Sequence, residues 1–241
     1  MRCWIYPGQH GPLDVVHGIQ NSCNVFFSEM GHRLSMDENG NYSPELGIEK
    51  IRKYASLFGL DETSGIEIAE REPQMTTEKP EASSIGQGKN SYSNVQLSRY
   101  ITAVANKGTV FKLSLLDKMT DSQGNLLEDF TPEVRSVIDV KDSTWNAVHT
   151  GMRRVISDGS ARKIFSDLEV DIAGKTGTAE EIKKRTPHQP CVLRFLCTVP
   201  ESRNRGDGKY SLWVFVIQRG DGREKYISFL LRIYRPELHS E

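Results

Sequence analysis

The chain is 241 residues long, with 31 basic and 32 acidic side chains and a net charge of −1. That length suits one large domain, or one and a half small ones, with room for a core. The balanced charge excludes a general nucleic-acid binder, which would show a basic excess. No stretch approaches the roughly eighteen apolar residues of a membrane span, and the start "MRCWIYPGQHGP" lacks the charged and apolar regions of a signal peptide. Cys3, Cys23, Cys191 and Cys197 lack zinc-type pairing with histidines, and Cys191-x5-Cys197 is not a metal knuckle. They read as small hydrophobes, so neither a metal site nor a cofactor is expected.

The first third reads helical, because Val15, Val16 and Ile19, then Val25, Phe26 and Met30, recur at three- and four-residue steps. Leu46 to Leu60 repeats the pattern with Ile48, Ile51, Ala55 and Phe58 on one face, and Gly59 is its expected stop. Residues 61–94 are polar and turn-rich and read as a long surface segment, the kind of loop that is often functional. From Asn94 the pattern is helical again, with Leu97, Ile101 and Val104 on one face and "NKG" closing it. "TVFKLSLLDKMTDSQGNLLEDF" reads as two short strands around the turn "DSQGN". Ser143 or Thr144 is expected to cap a helix carrying Trp145, Val148, Met152 and Val155, ended by "SDGS". "VDIAGKTGTAE" is a strand by its β-branched start. Helices first and an antiparallel sheet late predict a mixed α/β (α+β) domain.

"DIAGKTGTAEE" places a lysine and two hydroxyls between glycines. One reading is the end of a phosphate loop, which needs a glycine five positions before Gly174 so that backbone amides can cradle phosphate. Glu169 stands there, a carboxylate that would repel phosphate, and no apolar helical face follows. A bland reading is a polar strand end followed by a turn. The third reading is the K-T-G motif of penicillin-binding enzymes, which work with S-x-x-K and S-x-N. The chemistry explains the residue types. A nucleophilic serine needs a partly neutral lysine to take its proton. A second serine and an asparagine relay protons and hold the substrate amide. A strand lysine supplies positive potential, and its neighbouring hydroxyl binds a carboxylate. Ser22-Cys23-Asn24 supplies S-x-N, in the right order and 153 positions before Lys175.

"CWIYPGQHGPLDVVHGIQNSCNVFF", "IGQGKNSYSNVQLSRYITAVANKGTV", "GMRRVISDGSARKIF" and "IAGKTGTAEE" together resemble the transpeptidase domain of class B penicillin-binding proteins, from about Cys3 to about Arg185. The resemblance implies an antiparallel sheet with flanking helices and a helical lobe, incomplete here. It implies a serine D,D-transpeptidase that cross-links peptidoglycan stem peptides, is acylated by β-lactams, and works with the cell-wall synthesis machinery on the outer face of the cytoplasmic membrane. Carried over by motif, Ser22 and Asn24 match S-x-N, and Lys175, Thr176, Gly177 and Thr178 match the third motif. In those roles Ser22 shuttles a proton, Asn24 holds the donor peptide, Lys175 supplies positive potential, and Thr176 and Thr178 bind the terminal carboxylate. Gly86, Gln87 and Gly88 match a turn near the cleft, with a structural role.

Two departures from the family pattern shape the expectations. No serine precedes Ser22, and the one S-x-x-K in the chain is Ser160-Ala161-Arg162-Lys163, which follows S-x-N and a helix end. Ser160 therefore reads as structural and the nucleophile as missing, which makes the chain a catalytically incomplete fragment. The alternatives are a non-catalytic remnant or weak peptidoglycan-binding module, and a Ser160–Lys163 serine hydrolase. The second departure divides the chain into residues 1–185, a partial transpeptidase domain, and residues 186–241, an atypical segment. Read one nucleotide forward with degenerate codons, 189–191 permits Asn-His-Ala and 203–206 permits Glu-Ile-Ala-Val, which fits a frameshift. On that reading the strands beside Lys175 are lost or replaced and their register is poorly specified. The RGD triplets at Arg205 and Arg219 carry no functional weight.

Overall fold

Helix α1 (Val15–Gln20) is capped by Asp14, whose carboxylate accepts from the His17 N–H, and α2 (Asn24–Leu34) follows after three residues. Helix α3 (Pro44–Leu57) starts at a Ser43 cap with proline in its first turn. It ends as the sequence predicts. Gly59 takes φ +72°, and the Gly59 and Leu60 N–H groups donate back to Ser56 and Ala55. The long segment after it contains one short turn of helix, α4 (Pro80–Ser83). In the computed structural model, residues 2–165, 172–179, 191–197, 209–220 and 223–234 are described, the backbone alone for Ile164 and beyond residue 177. Among the described residues no helix is long and apolar enough to cross a membrane.

Helix α5 (Asn94–Ala105) opens on a reciprocal capping box. Ser93 accepts from the Gln96 N–H, and the Gln96 side chain accepts from the Ser93 N–H. The expected pair of strands around "DSQGN" is corrected to three strands. Strand β1 (Thr109–Lys112) leaves α5, while the hairpin is β2 (Lys118–Thr120) and β3 (Leu126–Asp129). The turn itself is as read: Asp121 bonds the backbone of Gln123 and Asn125, and Gly124 takes φ +88°. Strand β1 pairs instead with β4 (Glu133–Val137), a mostly exposed strand without the apolar alternation that would mark it in sequence.

Helix α6 (Asp142–Ser157) begins one residue before Ser143 and two before Thr144, the expected caps. Lys141 is the N-cap position and offers no side-chain bond there; Asp142 places a carboxylate in the first turn, where the helix dipole favours it. A short α7 (Arg162–Phe165) follows, then β5 (Ala173–Ala179). Strands β6 (Cys191–Cys197), β7 (Lys209–Gly220) and β8 (Arg223–Tyr234) complete an antiparallel sheet ordered β5-β6-β7-β8. Of the two expected outcomes, lost or replaced strands, the structure excludes loss, since β6 pairs with β5 along all seven residues, from Ala173 opposite Cys197 to Ala179 opposite Cys191. "CVLRFLC" and "SLWVFVI" are rich enough in β-branched and aromatic residues to form strands. The linking residues 180–190, 198–208 and 221–222, and with them Asp207 and Asp221 of the RGD triplets, lie outside the described residues.

One core joins α1, α5, α6 and the start of β5, through Ile19, Ile101, Val104, Met152, Val155, Ile156, Ala161, Ile172 and Ala173. A second gathers Ala103, Val110, Ile138 and Trp145. Helix α1 packs closely on α6 because Gly151 has no side chain; a Cβ there would come within 2.8 Å of Ile19 Cβ, an atom fixed to its backbone. Gly151→Ala is therefore expected to destabilise the fold by about 1–3 kcal/mol through overpacking. Thermal unfolding checks this, and an unchanged midpoint would show that α1 has room to move.

Candidate active site

Ser22 stands in the link between α1 and α2. Its N–H donates to Ile19 O at 3.1 Å, the Cys23 N–H donates to Gly18 O at 3.1 Å, and Ser22 takes φ +49°. A left-handed serine is disfavoured relative to glycine there, and such local strain is held where surrounding structure fixes it. The fixing contacts come from α1. Ile19 is buried against α6, and Gly18 lies under the Phe26 ring, where a Cβ would come within 2.6 Å. Asn24 is the first residue of α2, half-buried at the head of the helix.

Strand β5 lies along α6 and is tied to it by Arg153, which donates to Ile172 O at 2.9 Å just before the strand begins. Lys175 crosses from β5 to the α1–α2 link and donates to Ser22 Oγ at 2.6 Å and to Thr176 O at 2.7 Å. Burial pushes its ammonium down from the ordinary 10.5 to a pKa of about 8. Thr176 Oγ1 lies 3.1 Å from Ser160 Oγ, in the turn after α6. Gly177 and Thr178 continue β5 opposite Leu193 and Val192, and the Thr178 side chain lies outside what is described. Among the described strands, β5 is the outer one of its sheet. The residues read from the two motifs thus meet through the Lys175–Ser22 contact. Ser160, read as structural, turns out to be a neighbour of Thr176.

Gly86, Gln87 and Gly88 close α4. The Gly86 and Gln87 N–H groups donate to Ser83 and Ala82, and both glycines take positive φ, 78° and 96°. Only a residue without Cβ adopts those angles at little cost. The neighbouring Thr76, bonded to Asn90 and Ser83, ties this turn to the preceding loop.

The sequence reading pairs no cysteine with a histidine, but the fold brings Cys3, His10 and Cys23 together. Cys3 Sγ lies 3.8 Å from Cys23 Sγ and 3.6 Å from His10 Nδ1. In a tetrahedral zinc site, bond lengths of about 2.3 Å to sulfur and about 2.0–2.1 Å to nitrogen separate two sulfurs by about 3.8 Å, and sulfur from nitrogen by about 3.6 Å. These three side chains have the donor types of such a site, Cys3 lies at the matching distance from each partner, and all three donor atoms lie within 4.8 Å of one another. Cys23 separates Ser22 from Asn24, so an ion there would brace the S-x-N loop. Burial raises both thiols; at Cys3 the Asn24 and Ile5 N–H groups outweigh it and hold the thiol below its ordinary range, while Cys23 stays above. Irregular spacing hid this cluster, because Cys3-x6-His10 followed by Cys23 matches no zinc pattern.

The family model described as "Penicillin binding protein transpeptidase domain" matches residues 1–201, over four-fifths of the chain. The chain belongs to the penicillin-binding protein transpeptidase family. The match extends past Arg185 into the segment read as atypical. Penicillin-binding protein H of Bacillus subtilis is 29% identical over 188 residues, covering 70% of this chain and 26% of that protein. The peptidoglycan D,D-transpeptidase MrdA of Escherichia coli K12 is 27% identical over 188 residues, covering 71% of this chain and 28% of that protein. The chain therefore spans about a quarter of the length of the curated relatives it matches. Among solved structures, penicillin-binding protein 2B of Streptococcus pneumoniae R6 superposes with a TM-score of 0.64 at 22% identity, covering 77% of this chain and 33% of that one. At that identity the likeness concerns the fold, which is the penicillin-binding transpeptidase fold with antiparallel sheet and flanking helices.

Proposed function

We propose that this chain forms the S-x-N and K-T-G walls of the cleft of a D,D-transpeptidase that cross-links peptidoglycan stem peptides in the cell envelope. The Lys175–Ser22 contact carries this reading, since it joins residues 153 positions apart at 2.6 Å in the order the two motifs demand. The reaction is acyl transfer: a serine ester forms as the terminal D-Ala leaves, and a stem-peptide amine then takes the acyl group. In it Ser22 and Lys175 pass a proton between nucleophile and leaving group. Lys175 also presents positive charge to the donor's carboxylate, which Thr176 and Thr178 bind, and Asn24 holds the donor amide. The edge of β5, which no described strand covers, suits an extended peptide, which can add to it as a strand. β-Lactams fit the same walls, and the cell-wall synthesis machinery is the expected partner.

The nucleophile is assigned to no serine of this chain. Ser160 is in reach of the cleft, but its hydroxyl pairs with Thr176, and Lys163 is exposed. Incubation with a fluorescent penicillin tests the assignment. Reversible binding without a covalent adduct is expected. A stable adduct mapped to Ser160 would establish the Ser160–Lys163 hydrolase instead, and no binding of any kind would leave the non-catalytic remnant.

A further inference from the structure

Ser160 belongs to neither motif, yet the turn that carries it touches both. A Cβ on Gly159 would come within 2.6 Å of Gln20 O and 2.8 Å of Val155 Cα, so the backbone is packed against the segment leading to Ser22. Ala161, on the other side, is 1% exposed, and its N–H donates to Val155 O at 3.0 Å. Between these two anchors Ser160 is exposed, with its hydroxyl 3.1 Å from that of Thr176. Lys175 directs its bonds to Ser22 Oγ and Thr176 O, neither of which fixes the rotation of the Thr176 hydroxyl.

We propose that Ser160 is a positioning residue for ligand recognition: it donates its proton to Thr176 Oγ1 and so leaves the Thr176 proton directed at the ligand's terminal carboxylate. A hydroxyl has one proton and two acceptor lone pairs. Once Thr176 accepts from Ser160, its one proton is free for an outside acceptor, and a bond to a carboxylate is of the stronger, charge-assisted kind. The alternative orientation, in which Thr176 donates to Ser160, turns a lone pair toward the carboxylate and repels it. This inference rests on the carboxylate-binding cleft proposed above.

The test compares an N-acylated D-Ala-D-Ala peptide with its C-terminal amide, with dissociation constants read by ligand-observed NMR. The unaltered chain should bind the acid about tenfold more tightly than the amide, the factor a charge-assisted bond supplies. Ser160→Ala should cut that ratio about three- to fivefold, Ser160→Thr should restore it, and Ser160→Ala should change nothing further in a Thr176→Ala background. If Ser160→Ala keeps the full ratio, weakens acid and amide equally, or acts as strongly without Thr176, the inference is overturned while the cleft reading stands. An acid-to-amide ratio near one in the unaltered chain overturns the cleft reading and this inference with it.

Discussion

Lys175→Met is expected to weaken binding of a D-Ala-D-Ala peptide about 10- to 100-fold while making the folded chain more stable at pH 7. The two effects have one cause. The ammonium is held in a partly dry position between Ser22 and Thr176, where burial lowers its pKa from the ordinary 10.5 to about 8. Lost hydrogen bonding to a charged group is worth about 1.5–3 kcal/mol, which converts to the stated range of affinity. Below pH 8 Lys175 is charged in both folded and unfolded chains, and the folded state bears the full desolvation penalty. Between pH 8 and 10.5 the unfolded chain binds more protons, so stability rises with pH across that window, by at most about 3 kcal/mol before screening by solvent reduces it. Affinity for an anionic ligand moves the opposite way and is lost as pH rises through about 8. The Met variant should show neither dependence. Thermal unfolding at pH 7 and pH 10 with parallel binding titrations reads both, and a Met variant that melts lower at pH 7 would sink the account.

Arg99→Ala should cost about 3–5 kcal/mol, the range for removing one partner of a buried charged network. The Arg99 guanidinium is 2% exposed and lies behind the end of α3, where it donates to the carbonyls of Gly59, Glu62 (3.1 Å) and Thr63 (2.9 Å). Those carbonyls close the helix and start the long loop, and without the guanidinium the buried Gly59 carbonyl loses its side-chain donor. Glu62 also pairs with Arg135, so the network links α3, α5 and β4. Arg99→Lys should recover only part of the loss, because one ammonium cannot span three acceptors as a planar fork does. Urea unfolding of the three proteins measures this, and an Ala variant within 1 kcal/mol of the original would show that water replaces the fork.

The elements with strong periodicity were legible without coordinates. Ile48, Ile51 and Ala55 mark α3, Ile101 and Val104 mark α5, and Gly59 ends α3 because its φ of +72° suits glycine. Strand β4 was not legible. "EVRSV" is mostly exposed, and its partner β1 lies over twenty residues back, so neither composition nor proximity signals the pair. The cap of α6 was misplaced by a preference for hydroxyl residues, although Asp142 meets the helix dipole from inside the first turn. The chemistry followed the same division. Ser22, Asn24 and Lys175 to Thr178 could be singled out as candidates because their motifs are contiguous, whereas Cys3, His10 and Cys23 and the Ser160–Thr176 pair have no such spacing.

Residue order alone therefore settled the local periods, the turn chemistry and the family blocks, since these depend on neighbours a few positions apart. Only the packed structure decided which groups meet. Lys175 reaches Ser22 because Gly151 lets α1 lie close on α6 and because Arg153 ties the start of β5 to that same helix. A contact across 153 residues is set by the sum of such packing choices, and no local pattern encodes that sum. Ser160 shows the same limit. By order it is a misplaced S-x-x-K serine, and by position it is the hydroxyl beside Thr176, placed there by the burial of Ala161 and the bare backbone of Gly159.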